Sequence, residues 1–448
     1  MKIALLGGGG FRTPLTFSAL LEIADELDLR ELALYDLDAA RLRRMSQVLD
    51  GMRTATTGPL PAVTPTTDLE SALTGAAFVL CAIRIGGLEA RAIDERVALA
   101  EGAVGQETVG AGGLCLVLRS TPVMTRLADT IARAAPNAWV INFTNPVAAM
   151  TGILQAQLGD RVVGVCDTPS GLCRRAAAAL GQPEDALVFD YFGLNHLGWL
   201  RAIRDERGND LLPRLLADDA ALDQLEESHL FGTSCLKSLG LIPSEYLIYY
   251  TAPERLLSAT ASRGLSRAEY LLHNQRAFYA SDYATSTEAV RAWRAARADR
   301  DGTYMTDMHL SQSVRTVPED DRGYAGVAAA LLRSLSGSDT TPRTMIINTA
   351  NRGRLSFLPD DAVVELPTSV NASGLQGKLV ADPPPHSRRL MERVHAAERG
   401  AVEAARGGSR AAAAHALAIH PLVDSTPLAE RILAGYLREH SGLQAQLT

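Results

Sequence analysis

Hydrophobic positions in the first half of the chain fall into short unbroken runs separated by helical patterns. Lys2–Leu6 is one such run, ended by glycines, and Glu31–Asp36, Ala77–Ala82, Ala138–Asn142 and Arg161–Cys166 repeat the form. Between the first of them, Leu15–Leu27 and Ala39–Leu49 place apolar residues at helical spacing. Runs that do not alternate in polarity suit strands covered on both faces, and strands separated by amphipathic helices build a parallel sheet. Right-handed crossovers then bring the C-terminal ends of these strands to one edge, where such folds bind ligands.

The pattern changes near the middle. Leu187–Phe192 and Leu197–Ile203 flank Gly193–His196 and read as strands that leave the first unit. Helical patterns dominate from Pro213 to Asp339, strands return at Thr344–Asn348 and Ala362–Leu366, and His386–Gln446 is helical. There is no internal repeat; Ala411–Ala414 continues a helical period, and the linker-like stretches Ser336–Thr341 and Pro383–Pro385 are short. The predicted architecture is α/β: a Rossmann-like, doubly wound parallel sheet over 1–195, then a mixed, mostly helical α+β domain over 196–448.

Composition narrows the functional classes. Of 448 residues 47% are hydrophobic, enough for a sizeable core, so extended disorder is excluded. Lys plus Arg is 44 against 51 Asp plus Glu, and a net charge of -7 argues against nucleic-acid binding. No apolar run approaches the roughly 20 residues of a membrane span. The run Ile3–Leu6 is too short for a secretion signal. Five scattered cysteines form no disulfide framework, so a cytoplasmic protein with reduced thiols is expected.

Four constellations carry candidate chemistry. The glycine cluster Gly7, Gly8, Gly9, Gly10, followed by Phe11, Arg12 and Thr13, stands between the first strand and the first helix. Glycines there let the backbone approach a pyrophosphate at a helix N-terminus. Asp36 closes the second strand, where a carboxylate takes ribose hydroxyls and favours NAD over NADP. Cys166 and His196 could converge as two ligands of a divalent metal, leaving positions open for substrate; spacing alone favours a buried thiol and a structural histidine. Cys173, seven residues on, is the decoy in that segment. Tyr246, Tyr249 and Tyr250 stand at i, i+3 and i+4, on one face of a helix, a spacing that suits a core stripe. The segment Ile83–Asp94 carries Arg84 and Arg91 among glycines and, with Val104–Thr108 and the Gly110–Gly113 turn, suits a substrate-capturing loop. Arg267 falls near a helix start, a natural anion position.

Together these segments resemble glycoside hydrolase family 4, the NAD- and metal-dependent glycosidases, over essentially the whole chain. The motifs that carry the resemblance are Gly7–Pro14, Ala33–Asp38, the long block Ile83–Gly113, Asn142–Pro146, Gly164–Pro169, Gly193–Trp199, Pro243–Tyr250 and Asn348–Pro367. The resemblance implies that Cys166 and His196 ligate a catalytic divalent metal, usually Mn²⁺, and that Tyr246 is the general base. It implies sugar contacts from Asn145 and Arg91, and a 6-phosphate contact from Arg267. Asp167 would be the general acid of α-specific members; β-specific members commonly carry Asn there. The segments Asn348–Pro367 and Leu417–Val423 look more like the 6-phospho-β-glucosidase branch, and the β anomer is expected. The implied reaction oxidises C3 with NAD⁺, removes the C2 proton, eliminates the aglycone, adds water and returns the hydride. It needs no pair of carboxylates across the glycosidic bond. Substrates would be phosphorylated disaccharides or aryl glucoside 6-phosphates, and the assembly a homodimer or homotetramer. Three readings compete: an α-glucosidase or α-galactosidase-type member of the same family, a 2-hydroxy-acid dehydrogenase with net NADH production, and a sensor that binds NAD without turnover.

Overall fold

In a computed structural model, the structure describes residues 1–54, 56, 60–304 and 323–448. Six parallel strands form the heart of the larger sheet: β1 (Lys2–Leu6), β2 (Glu31–Tyr35), β3 (Ala62–Thr66), β4 (Phe78–Cys81), β5 (Trp139–Asn142) and β6 (Val162–Gly164). Their order is β3-β2-β1-β4-β5-β6, the doubly wound order whose direction reverses between β1 and β4. Successive side chains of a strand feed opposite faces. Thus Ala4 and Leu6 join Val79, Cys81 and Val140 in one buried cluster, while Ile3 and Leu5 join Leu34, Leu80 and Ile141 in another.

The second half of the chain completes this body. A three-stranded antiparallel sheet combines β7 (Val188–Leu194), β8 (Leu197–Arg204) and β9 (Ile242–Pro243). Then β10 (Arg343–Ala350), β11 (Val363–Asn371) and β12 (Gly374–Gly377) return to the larger sheet and add antiparallel beyond β6. The helix Gly323–Ser336 covers the Ile3 face, and the helices Pro385–Gly407, Arg410–Ile419 and Thr426–Glu439 help cover the Ala4 face.

Some elements differ from the sequence pattern. Strand β3 escapes a hydrophobic reading because it is the exposed sheet edge and holds Pro65, which only an edge tolerates. The first helix runs Thr13–Leu21, not to Leu27; beyond it the chain tightens into short turns that end at Asp28, with φ +44°. Ile23, Ala24 and Leu27 are still buried, which is why they keep a helical period. The part of the Pro213–Asp339 helical prediction at 305–322 lies outside the described residues. No helix among the described residues is long and apolar enough to cross a membrane.

Candidate functional site

A cleft of about 1430 Å³ opens at the strand-order reversal. Ligands in open α/β sheets sit at this switch point. The volume exceeds the roughly 300–1,000 Å³ of a typical small-molecule pocket, leaving room for a dinucleotide and a second ligand.

At one end, backbone geometry builds the site. Gly7 takes φ +89°, and a Cβ there would stand 2.4 Å from the Ala82 carbonyl oxygen, so only glycine lets the ends of β1 and β4 lie this close. Gly7 N and Gly8 N donate to the Tyr35 carbonyl, each at 2.8 Å. Asp36 fastens the loop from below: Gly9 N donates to Oδ2 (3.0 Å) and Asp38 N to Oδ1 (3.1 Å). Thr13 Oγ1 donates to the Gly8 carbonyl at 3.0 Å. Phe11 is buried against Phe278 and Trp293, whose indole N–H donates to its carbonyl (2.9 Å). Arg12 lies over the Tyr324 ring, 4.9 Å from its centroid.

At the other end, side chains from distant segments meet. Arg91, Asn145, Asp167, Tyr246, Tyr249 and Arg267 all line the cleft. Arg91 is buried between two carboxylates, with Nε 2.7 Å from Glu95 Oε1 and Nη1 2.9 Å from Glu107 Oε2. Burial works against the Glu107 charge, but Arg84 and Arg91 outweigh it and bring its pKa down to about 2. Arg267 opens the helix Arg267–Ala280. Its Nη1 donates to Thr303 Oγ1 (2.8 Å) and its Nη2 to the Arg300 carbonyl (2.7 Å), which fixes the plane of the guanidinium. Burial, with Arg91 and Arg263 near, lowers its pKa.

Cys166 and His196 lie behind the wall, both buried. His196 occupies the two-residue turn between β7 and β8, with φ +60°. Its ring stacks flat on Tyr246, centroids 3.6 Å apart. Thr108 Oγ1 stands 2.9 Å from Nδ1 and donates to Gln106 Oε1 (3.0 Å), so Nδ1 carries the hydrogen and Nε2 the lone pair. Burial drops the His196 pKa to about 3, so the ring is neutral. Among the described residues its Nε2 has no hydrogen-bond partner, and neither has the buried Oδ1 of Asn145. Burial, then Glu365 and Asp167, push the Cys166 thiol up. A sulfur, an unpartnered imidazole nitrogen and an unpartnered amide oxygen are a donor set suited to a divalent transition ion. Cys173 belongs to a separate apolar cluster with Leu172 and Ala176.

Sequence reasoning passed over several residues here. Tyr246 is not on a regular helix: it sits in the 3₁₀ turn Glu245–Leu247, and only Tyr249 and Tyr250 fall in the helix Ile248–Thr251 that follows. Tyr249 both packs against Tyr246 and lines the cleft. Glu107 and Thr108 were visible only as part of the Val104–Thr108 motif. Tyr304, in the cleft wall, had no sequence signal, and Glu245, also there, was visible only as part of the Pro243–Tyr250 motif. Glu365 on β11 is buried under the His196 turn, accepting from Asn348 Nδ2 (2.8 Å), Asn195 Nδ2 (3.3 Å) and Tyr191 Oη (3.1 Å). Burial raises its pKa to about 7 against these hydrogen bonds. Away from the cleft, Asp94, Cys115 and His440 cluster within 4.8 Å, but Arg119 pairs with the other Asp94 oxygen and balances the charge.

A dinucleotide-type turn at a doubly wound switch point, joined to buried donors and a tyrosine, defines a two-part α/β enzyme site. The chain belongs to the family 4 glycosyl hydrolases: the family model matches residues 2–182 and the model of the family's C-terminal domain matches 191–423. A probable 6-phospho-beta-glucosidase of Bacillus subtilis is 30% identical over 462 residues, spanning 100% of this chain and 98% of that protein. A 6-phospho-alpha-glucosidase of Leptotrichia buccalis is also 30% identical, over 96% of both chains. Among solved structures, the 6-phospho-beta glucosidase of Thermotoga maritima with manganese, NAD⁺ and glucose-6-phosphate superposes with a TM-score of 0.79. It is 25% identical, with both chains covered in full.

Proposed function

We propose that this enzyme hydrolyses 6-phospho-β-glucosides to glucose 6-phosphate and the aglycone, using NAD and a divalent metal, Mn²⁺ first among them. The observation that supports it most is the single cleft joining the Gly7–Thr13 turn to Asn145, Asp167, Tyr246, Arg91 and Arg267. Full-length relatives of both anomeric specificities support the 6-phospho-glucosidase class.

The backbone of the Gly7–Thr13 turn and the Asp36 carboxylate would hold NAD, and Cys166 and His196 the metal. When bound, the pair supplies reversible hydride exchange at C3 and Lewis acidity at the sugar's C2 and C3 oxygens. The remaining chemistry falls to side chains. Tyr246, fixed by its stack on His196, takes the C2 proton, and loss of that proton drives out the aglycone at C1. Asn145 and Arg91 orient the ring. Arg267, its plane already set by Thr303 and Arg300, presents its remaining N–H groups to the 6-phosphate.

One observation favours a second reading. Asp167 lines the cleft beside Cys166, where a carboxyl could protonate the leaving oxygen of an α-glucoside. Release of p-nitrophenol from the β- and α-anomers of p-nitrophenyl glucoside 6-phosphate, with NAD⁺ and Mn²⁺ each omitted in turn, separates them. Release from the β anomer that needs both additions is the expected result. Release from the α anomer alone keeps the chemistry and gives Asp167 the acid role. Release that ignores NAD⁺ overturns the mechanism.

A further inference from the structure

Cys166 and His196 are carried by different sheets. Cys166 follows β6, whose Gly164 pairs with Asn348 of β10. His196 follows Asn195 in the tight turn between β7 and β8. Neither segment alone fixes the distance between the two side chains, yet a bound ion accepts ligand distances only within about 0.2 Å. One carboxylate joins the segments. Glu365 of β11 is buried, and its Oε1 accepts from both Asn348 Nδ2 (2.8 Å) and Asn195 Nδ2 (3.3 Å). Its Oε2 accepts from Tyr191 Oη (3.1 Å), and the Tyr191 ring lies against Gly198, two residues past His196. A Cβ at Gly198 would stand 2.1 Å from that phenol oxygen, so glycine there lets the phenol lie where it meets Glu365.

Glu365, Asn195, Asn348 and Tyr191 are all buried, and none of them lines the cleft. They act only through what they hold. On one side that is a strained turn: His196 keeps φ +60°, which a residue with a side chain adopts only where its surroundings fix it. The bond from Asn195 to Glu365 fixes the residue beside it. On the other side the same Glu365 oxygen holds Asn348 and, through the pairing of Asn348 with Gly164, the strand end that leads into Cys166. We propose that Glu365 is a positioning residue for the metal site: by accepting both amides on one oxygen, it sets the separation at which Cys166 and His196 meet an ion. Without that anchor each ligand keeps its own segment, but one segment is free to shift against the other. The inference rests on the reading of Cys166 and His196 as metal ligands, and it concerns geometry, not the charge of Glu365.

The test titrates Mn²⁺ alone into the full-length enzyme, followed by its electron paramagnetic resonance signal. Glu365→Leu fills a similar volume but accepts nothing, and it should raise the Kd of Mn²⁺ on the order of 10–100-fold. Glu365→Gln keeps one oxygen for both amides and can donate to the Tyr191 oxygen from its NH₂ group, so it should stay within about threefold of wild type. With Co²⁺ at saturation, the thiolate-to-metal absorption band reports the Cys166–metal bond; it should weaken in Glu365→Leu and return in Glu365→Gln. A role in packing alone would lower Tm and leave Mn²⁺ affinity and the band as in wild type, which overturns the proposal. Equal losses of Mn²⁺ affinity in Glu365→Leu and Glu365→Gln would mean that charge and not position is at work, and overturn it too. Cys166→Ser is the reference. If it loses Mn²⁺ while Glu365→Leu keeps it, only the positioning role falls. If Cys166→Ser binds Mn²⁺ as the wild type does, the ligand assignment fails and the proposal with it. If Glu365→Leu loses NAD binding along with Mn²⁺, Asn195→Ala, which cuts only the link to the His196 turn, decides: weakened Mn²⁺ binding supports the proposal, and wild-type affinity overturns it.

Discussion

The two ends of the cleft are built by different means. The end proposed for the dinucleotide is mostly backbone: Gly7 to Thr13 and Asp36 come from one βαβ unit, and the contacts are backbone N–H groups with the Tyr35 carbonyl and the Asp36 carboxylate. The end proposed for the sugar is mostly side chain. Thr108 reaches His196 across 88 positions, and Tyr304 reaches Tyr246 across 58. A backbone site tolerates side-chain changes that leave its glycines alone. A side-chain site does not, because each buried polar atom depends on one partner and an unpaired one is costly. Single-atom substitutions should therefore separate the ends by their cost.

The largest effect should come from Tyr246→Phe. Removing one oxygen takes away the proposed base but leaves the ring on His196, 3.6 Å away. Turnover should drop about 10²–10⁴-fold, with NAD binding by fluorescence titration unchanged. Loss of NAD affinity of the same size would mean that the two ends are not separable.

Acid should strike the shell behind the sugar end. His420 is buried near Tyr250, accepts a hydrogen bond from Leu422 N (3.1 Å), and has its pKa brought down to about 3 by burial and then Arg393. Its unperturbed value is 6.5, above the folded one. Between those values the unfolded chain binds a proton that the native chain refuses. The contribution is full above pH 6.5 and declines as pH falls toward 3, by roughly 1.4 kcal/mol per pH unit at most. His420→Gln should flatten the dependence of Tm on pH over that window. An unchanged slope would show that His420 does not carry it.

The same contrast explains what could be read in advance. Strands β1, β2, β4, β5 and β6 are unbroken apolar runs because both faces are covered, so the sequence pattern reports them directly. The glycine turn is legible because only glycine fits beside Ala82. Periodicity shows that β10 and β11 are strands, but it cannot say that β10 joins the first sheet antiparallel to β6 and β11 antiparallel to β10, since pairing partners leave no mark on period. Cys166 and His196 were two plausible core residues by spacing and became a pair only through resemblance to a family. The contacts of Thr108 with His196 and of Tyr304 with Tyr246 exist only in distances that folding creates.

Thr108→Val sharpens the comparison from the metal side. The substitution keeps the shape and removes the hydroxyl that holds His196 Nδ1 at 2.9 Å. Outer-shell partners of this kind set ring orientation and tautomer, and their loss typically weakens metal binding 10–100-fold. Titration of Mn²⁺ by its electron paramagnetic resonance signal should show a loss of that size, again with NAD affinity intact. Wild-type Mn²⁺ affinity would mean that His196 is oriented by its stack on Tyr246 alone, or that it is not a ligand.

The smallest effect should be Asp36→Asn, at the opposite end. Asp36 spends one oxygen on Gly9 N and the other on Asp38 N. Asparagine keeps one acceptor oxygen and replaces the other with a donor, so one of the two loop contacts is lost and one survives. A single net hydrogen bond is worth about 1 kcal/mol, or roughly a fivefold rise in the Kd of NAD. The glycine turn should hold its shape, because Gly7 N and Gly8 N still donate to the Tyr35 carbonyl. A loss of 100-fold or more would show that the carboxylate itself, through the ribose hydroxyls, carries the binding, and that the dinucleotide end is as dependent on one side chain as the sugar end.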